Sequence, residues 1–247
     1  MSTKTVVPGP DFGGGEHPLA PTTPVRLSVL IPAFNERDTI LQTIQRVRAL
    51  GDFVEIILVD DASTDGTGEL LEQQIGVVVV RHERNRGKGA AIRTAIRHMT
   101  GDVAAIQDAD LEYDPQDLLR LMEPIVRGET RVVYGSRFLQ GRPSMALPNY
   151  VCNRLLAWMA NLLFGARITD EATCYKVFDA ELLRSLPLEC ERFEFCPEVT
   201  ARVRKRGERI VELPIRYEAR SYDSGKKIRW WDGVSAIWTL LKYRFRA

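Results

Sequence analysis

No two of the four cysteines, Cys152, Cys174, Cys190 and Cys196, form a CxxC pair, and the three histidines are scattered. Zinc sites and disulfide frameworks of the usual spacing are therefore excluded, a reducing cytosol is the expected compartment, and all four thiols are expected as buried structural groups. Net charge is nearly absent too: 34 Lys or Arg oppose 33 Asp or Glu, which gives no global signal for nucleic acid. Long apolar runs are missing. The longest mostly apolar segment, "LLAWMANLLFGA" (155–166), contains Asn161 and is too short to span a bilayer; it is expected as a core helix, with an interfacial helix as the alternative. The N-terminus carries no apolar stretch fit for a signal peptide, and residues 1–25, rich in Pro, Gly and Thr, are expected as a disordered tail.

Two phosphate-cradling signatures are also missing. The first strand-like run is followed by "PAFNE" where a dinucleotide-binding fold needs GxGxxG, which excludes a dinucleotide site of that kind. "RNRGKGAA" (84–91) is Gly-rich and basic, but His82 stands where a GxxxxGK[ST] loop needs its first Gly. Gly87 and Gly89 could still admit close backbone approach to a phosphate beside Lys88; a basic surface turn is the alternative.

What is present is a regular alternation. The runs 26–31, 54–59, 77–80, 102–107 and 131–135 are strand-like, and the first is expected to end at Pro32. Between the first two, Ile40, Leu41, Ile44, Val47 and Leu50 recur at helical spacing before Gly51. Strands alternating with helices imply βαβ units and a mainly parallel sheet in one α/β domain over 26–247. The later part is less regular and basic: residues 202–247 hold 13 Lys or Arg against five Asp or Glu, a net +8 that points to an anionic partner or a solvated helical face.

Parallel open sheets bind ligands beyond the carboxyl ends of their strands, and "DDASTDGT" and "DADLEYD" both stand at such ends. In "AIQDADLEYDP", Asp108, Asp110, Glu112 and Asp114 occupy alternate positions. A phosphatase DxDx[TV] element would follow the first strand and would have Thr or Val at position 112. A hard cation suits the pair better, since Mg²⁺ or Mn²⁺ commonly takes one or two carboxylates plus substrate phosphates. Asp114 and Asp117 are expected on a solvated face, as the acidic first turn of a helix near Pro115.

The ordered set "IPAFNE" (31–36), "VDDASTDGT" (59–67), "NRGKGAA" (85–91), "DADLEYDP" (108–115) and "YGSRF" (134–138) resembles the family 2 glycosyltransferases with a GT-A fold, a Rossmann-like α/β architecture. "TDEATCYKVF" (169–178) and "RYEARSYDSGKKIRWWDG" (216–233) make it most similar to the dolichyl- or polyprenyl-phosphate sugar synthases. The resemblance implies a nucleotide-sugar and metal half over 26–140 and an acceptor half over 141–247, with a helical, basic acceptor side. It places Pro32, Phe34 and Glu36 around the nucleotide base, Asp61 near base and ribose, and Lys88 along the nucleotide edge. Asp108 and Asp110, with Glu112 as a third candidate, would hold Mg²⁺ or Mn²⁺. Arg137 would face phosphate, Asp170 would sit near sugar and acceptor, and Arg220 and Lys226 would meet the acceptor phosphate. Asp110, Arg137 and Asp170 are then the catalytic candidates.

The implied reaction is metal-dependent, inverting transfer of a hexose from GDP-mannose, or next from UDP-glucose, to a polyprenyl phosphate. The enzyme would be cytoplasmic and peripheral on an anionic membrane face, with no nucleic-acid partner. A hydroxyl acceptor, a nucleotidyltransferase and a non-catalytic sugar-nucleotide-binding protein are the alternatives. A phosphate acceptor has a second pKa of about 6 and needs cations but no base, so Asp170→Asn should be milder than Arg220→Ala or Lys226→Ala; a hydroxyl acceptor reverses that order. The helix after Asp232 is expected to gather Val234, Ile237, Trp238 and Leu241 on one face, packed inward or, with Trp230 and Trp231, resting on lipid.

Overall fold

The computed structural model describes residues 25–219 and 230–246, without the side chains of Trp230 and Trp231. The expected tail up to residue 24, Arg220 and Lys226 lie outside the described residues.

All five expected strands form: β1 (Leu27–Ala33), β2 (Val54–Asp60), β3 (Val78–Arg81), β4 (Val103–Ile106) and β5 (Val132–Ser136). They alternate with α1 (Ile40–Arg48), α2 (Thr67–Glu72), α3 (Lys88–His98) and α4 (Asp117–Val126). β1 and β4 read as continuous apolar runs because both sheet faces are covered, which buries nearly every residue. α1 shows the complementary pattern, with Ile40, Thr43, Ile44 and Val47 buried on one stripe. Pro32 does not end β1. It lies past Leu30, the last residue paired with β4, so its missing N–H costs that ladder nothing.

The later chain supplies α5 (Leu147–Phe164), β6 (Lys176–Asp179), α6 (Ala180–Ser185), α7 (Phe195–Lys205), β7 (Ile210–Pro214) and α8 (Trp230–Phe245). The seven strands form one sheet in the order β3-β2-β1-β4-β6-β5-β7. β6 runs antiparallel to both β4 and β5, while the other pairings are parallel. Reversal of this one strand has a direct consequence: its entering end, Thr169–Tyr175, arrives at the same edge as the leaving ends of β1, β2, β4 and β5.

Three expectations about burial change. α5 is not a core helix: it buries Leu156, Ala157 and Ala160 but leaves Leu147, Val151, Leu155, Trp158 and Leu162 exposed. α8 packs through Ala236, Thr239, Leu240 and Tyr243, whereas Val234 and Trp238 face outward and Ile237 and Leu241 are half-buried. Among the cysteines only Cys174 is buried, the other three being half-buried, and none of the four is in a disulfide. No helix among the described residues is long and apolar enough to cross a membrane.

Candidate active site

At the carboxyl edge the loop after β1 is stitched to the loop after β2. The Asn35 N–H donates to Ser63 Oγ at 2.9 Å, the Thr64 N–H to Asn35 Oδ1 at 2.8 Å, and the Glu36 N–H to Thr67 Oγ1 at 3.0 Å. Pro32, Phe34 and Glu36 line this seam, each half-buried. Asn35 (φ 51°), Ala62 (φ 61°) and Leu111 (φ 64°) place one left-handed non-glycine in each loop after β1, β2 and β4. Such residues cost on the order of 1–3 kcal/mol and gather at sites whose surroundings hold them in place.

Asp61 is buried and turned toward the chain itself. Its Oδ1 accepts from the Arg86 N–H at 2.9 Å and lies 2.7 Å from His82 Nδ1, and its Oδ2 accepts from the Gly87 N–H at 2.6 Å. This carboxylate therefore fixes the "NRGKG" loop. The glycines of that loop have a purpose other than approach to a phosphate: a Cβ on Gly87 would meet the Glu191 carbonyl at 2.5 Å, and one on Gly89 the Cys190 carbonyl at 2.6 Å. They seat the loop against residues 190–192. Lys88, the first residue of α3, puts Nζ 2.6 Å from Asp108 Oδ1. Burial would lower its pKa, but the charge and hydrogen bond of Asp108, together with the other groups around it, hold the ammonium well above its ordinary range. Asp108 also offsets the unfavourable placement of a cation at a helix N-terminus.

Asp108 and Asp110 emerge together beyond β4, both half-buried, and Asp110 Oδ1 accepts from the Glu112 N–H at 3.2 Å. Among the described residues no three His, Cys, Asp or Glu side chains converge as a ready metal group. The chemistry of this Asp pair nonetheless fits a hard cation that takes its remaining oxygens from a diphosphate. Glu112 is engaged on its far side. Its carbonyl accepts from the Glu218 N–H at 3.0 Å, and its carboxylate stands against the Tyr217 hydroxyl, whose pKa is raised by burial first and then by Glu112. Asp117 is not solvated. It is buried and accepts from the Arg216 N–H at 2.7 Å and Arg120 Nη2 at 2.5 Å, while Asp114 Oδ2 lies 3.2 Å from Arg216 Nη1. The two acids thus hold the 216–218 segment at the edge of the site.

Arg137 and Asp170 form one unit. Arg137 Nε and Nη2 donate to the two Asp170 oxygens at 2.7 Å each, and the Arg137 N–H adds a bond of 3.1 Å to Oδ2. The side chains are 7% and 0% exposed. Burial would lower the Arg137 pKa, but the Asp170 charge raises it well above its ordinary value. Glu212 on β7 supports the pair from beneath, accepting from the Thr169 N–H at 2.7 Å and the Asp170 N–H at 3.0 Å. Burial pushes the Glu212 carboxyl up against those bonds. The guanidinium lies over Tyr217 at 5.1 Å and beside Phe138 at 5.9 Å, and the Tyr217 ring contacts Tyr113 at 5.4 Å. Next to the pair Glu171 is wholly buried, and its pKa is raised by burial, against Lys176 and Thr200.

A strand-end carboxylate pair, a lysine against it and a buried Arg–Asp unit thus share one edge of the sheet. Residues 28–180 match the Glycosyl transferase family 2 domain. The chain belongs to that family. The transferase is 31% identical over 200 residues to Glycosyltransferase AglJ of Haloferax volcanii, an alignment covering 80% of this chain and 65% of AglJ. It therefore spans just under two thirds of that relative. It is 28% identical over 246 residues to the Undecaprenyl-phosphate mannosyltransferase of Micrococcus luteus, covering 89% of this chain and 99% of that one. Polyprenyl-phosphate and dolichyl-phosphate sugar transferases recur among its relatives. Its fold is that of glucosyl-3-phosphoglycerate synthase from Mycobacterium tuberculosis, solved with Mn²⁺, UDP and phosphoglyceric acid. That match has a TM-score of 0.68 at 23% identity and covers 91% of this chain and 80% of the other.

The transferase therefore gathers Pro32, Phe34, Glu36, Asp61, Lys88, Asp108, Asp110, Glu112, Arg137 and Asp170 along one edge. Sequence reasoning missed Glu212, Tyr113 and Tyr217. Only the two Tyr lay within quoted motifs, and nothing there distinguished them from core aromatics.

Proposed function

We propose that the transferase moves a hexose, with inversion, from a nucleotide sugar to the phosphate of a polyprenyl or dolichyl lipid, GDP-mannose being the first donor to test and UDP-glucose the next. The observation that carries the acceptor is the state of Asp170. A hydroxyl acceptor must lose a proton to a nearby base, whereas the Asp170 carboxylate is fully buried with both oxygens taken by Arg137. A phosphate monoester already carries an ionised oxygen near neutral pH and needs only to be positioned. The relative of matching length that acts on undecaprenyl phosphate supports the same choice.

Asp108 and Asp110 would hold Mg²⁺ or Mn²⁺, with Glu112 the candidate third ligand; when bound, such an ion stabilises negative charge on the leaving diphosphate as a Lewis acid. Pro32, Phe34 and Glu36 would border the base, and Lys88 would add positive charge at the diphosphate edge. Arg137, fixed by Asp170, would present the remainder of its guanidinium to phosphate, which makes Asp110, Arg137 and Asp170 the core of the catalytic set. Arg220 and Lys226 would bring cations to the acceptor phosphate. The lipid acceptor implies peripheral contact with an anionic, cytoplasmic membrane face.

The test is transfer from GDP-mannose and UDP-glucose to a short polyprenyl phosphate and, side by side, to the dephosphorylated alcohol. Transfer to the phosphate alone is the expected result; equal transfer to the alcohol would end the reading.

A further inference from the structure

α5 exposes Leu147, Val151, Leu155, Trp158 and Leu162, each 41–66% accessible. At 3.6 residues per turn these positions fall within an arc of roughly 80°, a continuous apolar stripe along the outside of the helix. α8 adds Val234, Trp238 and Phe245, 48–85% accessible and within roughly 40° of one another by the same geometry. The helices pack side by side, and close enough that a Cβ on Gly233 would stand 3.0 Å from Cys152 Sγ. Two exposed tryptophans and six exposed aliphatic or phenyl groups on adjacent helices exceed the scatter of single apolar residues on an ordinary surface.

Charge identifies the occupant. α5 has no acidic residue and carries Arg154, and exposed Arg142 precedes it. α8 has Asp232 only in its first turn, with Lys242 and Arg244 in its last turn; Arg246 just beyond is paired with Glu189 at 2.7 Å and adds no net charge there. Twofold pairing of two copies through this face would bring like cations together. An anionic bilayer complements them and accepts Trp, Leu and Phe at headgroup depth. The stripe also begins at the rim of the active site. Tyr150 on α5 contacts Phe138 at 5.6 Å, beside Arg137, and Arg154 Nη1 donates to the Thr169 carbonyl at 3.2 Å, one residue before Asp170.

We infer that the outer faces of α5 and α8 form one membrane-docking surface, with Trp158, Leu162 and Trp238 seated in the interface of an anionic bilayer. This inference rests on the lipid-phosphate reading of the active site and specifies the surface that meets the lipid. Its test uses the full chain and vesicles of equal parts phosphatidylglycerol and phosphatidylcholine, against phosphatidylcholine alone, with neither donor nor acceptor present. The wild type should float with the anionic vesicles and be released by salt. Trp158→Glu, Leu162→Glu and Trp238→Glu should each weaken binding by about tenfold or more, the loss of one buried large side chain. Lys242→Gln with Arg244→Gln should lower it on anionic vesicles alone. Because these side chains are exposed, the thermal midpoint and transfer to a short water-soluble prenyl phosphate should stay at wild-type levels. That solution assay separates failure of the acceptor reading from failure of the docking surface. A wild type that ignores both vesicles, Glu variants that bind as it does, or a dimer that Trp158→Glu dissociates without changing vesicle binding would each overturn the inference.

Discussion

Replacing either member of the Arg137–Asp170 pair should cost far more than a surface ion pair. Both side chains are nearly or wholly buried, the contact is two-pronged at 2.7 Å, and the Arg137 N–H adds a third bond. Arg137→Met leaves a fully buried carboxylate with little beyond that backbone bond. Asp170→Asn leaves the guanidinium uncompensated and sets an amide against one of its N–H groups. Breaking a buried pair from one side costs about 3–5 kcal/mol, most of it from the stranded partner. The double variant Arg137→Met/Asp170→Asn strands no charge, so it should fall short of the sum of the single changes by about 2–3 kcal/mol. Urea unfolding of the four proteins, compared at unchanged m, gives the cycle directly. Losses that add to within about 0.5 kcal/mol would show that the two side chains are not coupled. The same geometry revises the expectation that Asp170→Asn would be mild with a phosphate acceptor. Freeing Arg137 should cripple transfer to any acceptor, so severity alone says nothing about a base. What identifies a base is a carboxylate limb in the pH–rate profile that vanishes in the variant.

Gly87→Ala and Gly89→Ala should each destabilise by about 1–3 kcal/mol through overpacking, because their new methyl groups meet backbone carbonyls at 2.5 and 2.6 Å; wild-type thermal midpoints would contradict this seating. Glu171 has its pKa raised above the ordinary 4.5, chiefly by burial. Both states hold the proton below that value, and the folded state keeps it longer as pH rises, so wild-type stability is lost above it while Glu171→Gln escapes that loss. The gap between variant and wild type should therefore move in the variant's favour from pH 4.5 upward in urea melts, and a constant gap would count against the assignment. Asp108→Asn and Asp110→Asn should each abolish transfer while nucleotide affinity drops less, since the proposed contacts at the base and ribose would remain; full activity in excess EDTA would dispose of the metal.

The first five strands were legible because each is a β-branched or apolar run closed by turn residues, and α1 because Ile40, Ile44 and Val47 recur at one helical spacing. β6 and β7 were not, since "KVFD" and "IVELP" are short and carry no period, and pairing β6 between β4 and β5 is a long-range choice that local pattern does not encode. The strand-end carboxylates were legible as a site because parallel topology dictates where such ends point. Arg137 and Asp170 were named separately, but their mutual contact spans 33 positions, and Glu212 lies a further 42 from Asp170. α5 was misjudged for a different reason: hydropathy registers how apolar a helix is and says nothing about how many of its sides are covered.

The reversed strand also bears on how this chain is made. β4 and β5 have no hydrogen bonds with each other and meet only through β6. During synthesis the carboxylate loop and "YGSRF" are therefore translated well before the strand that joins their supports, and until residue 179 has emerged both β4 and β5 present an open edge. A product cut at residue 140 would carry the nucleotide-side motifs yet keep those edges exposed, and should aggregate where the full chain folds. Residues on the two sides of position 140 thus share one sheet through β6, and the two parts are expected not to fold when expressed apart.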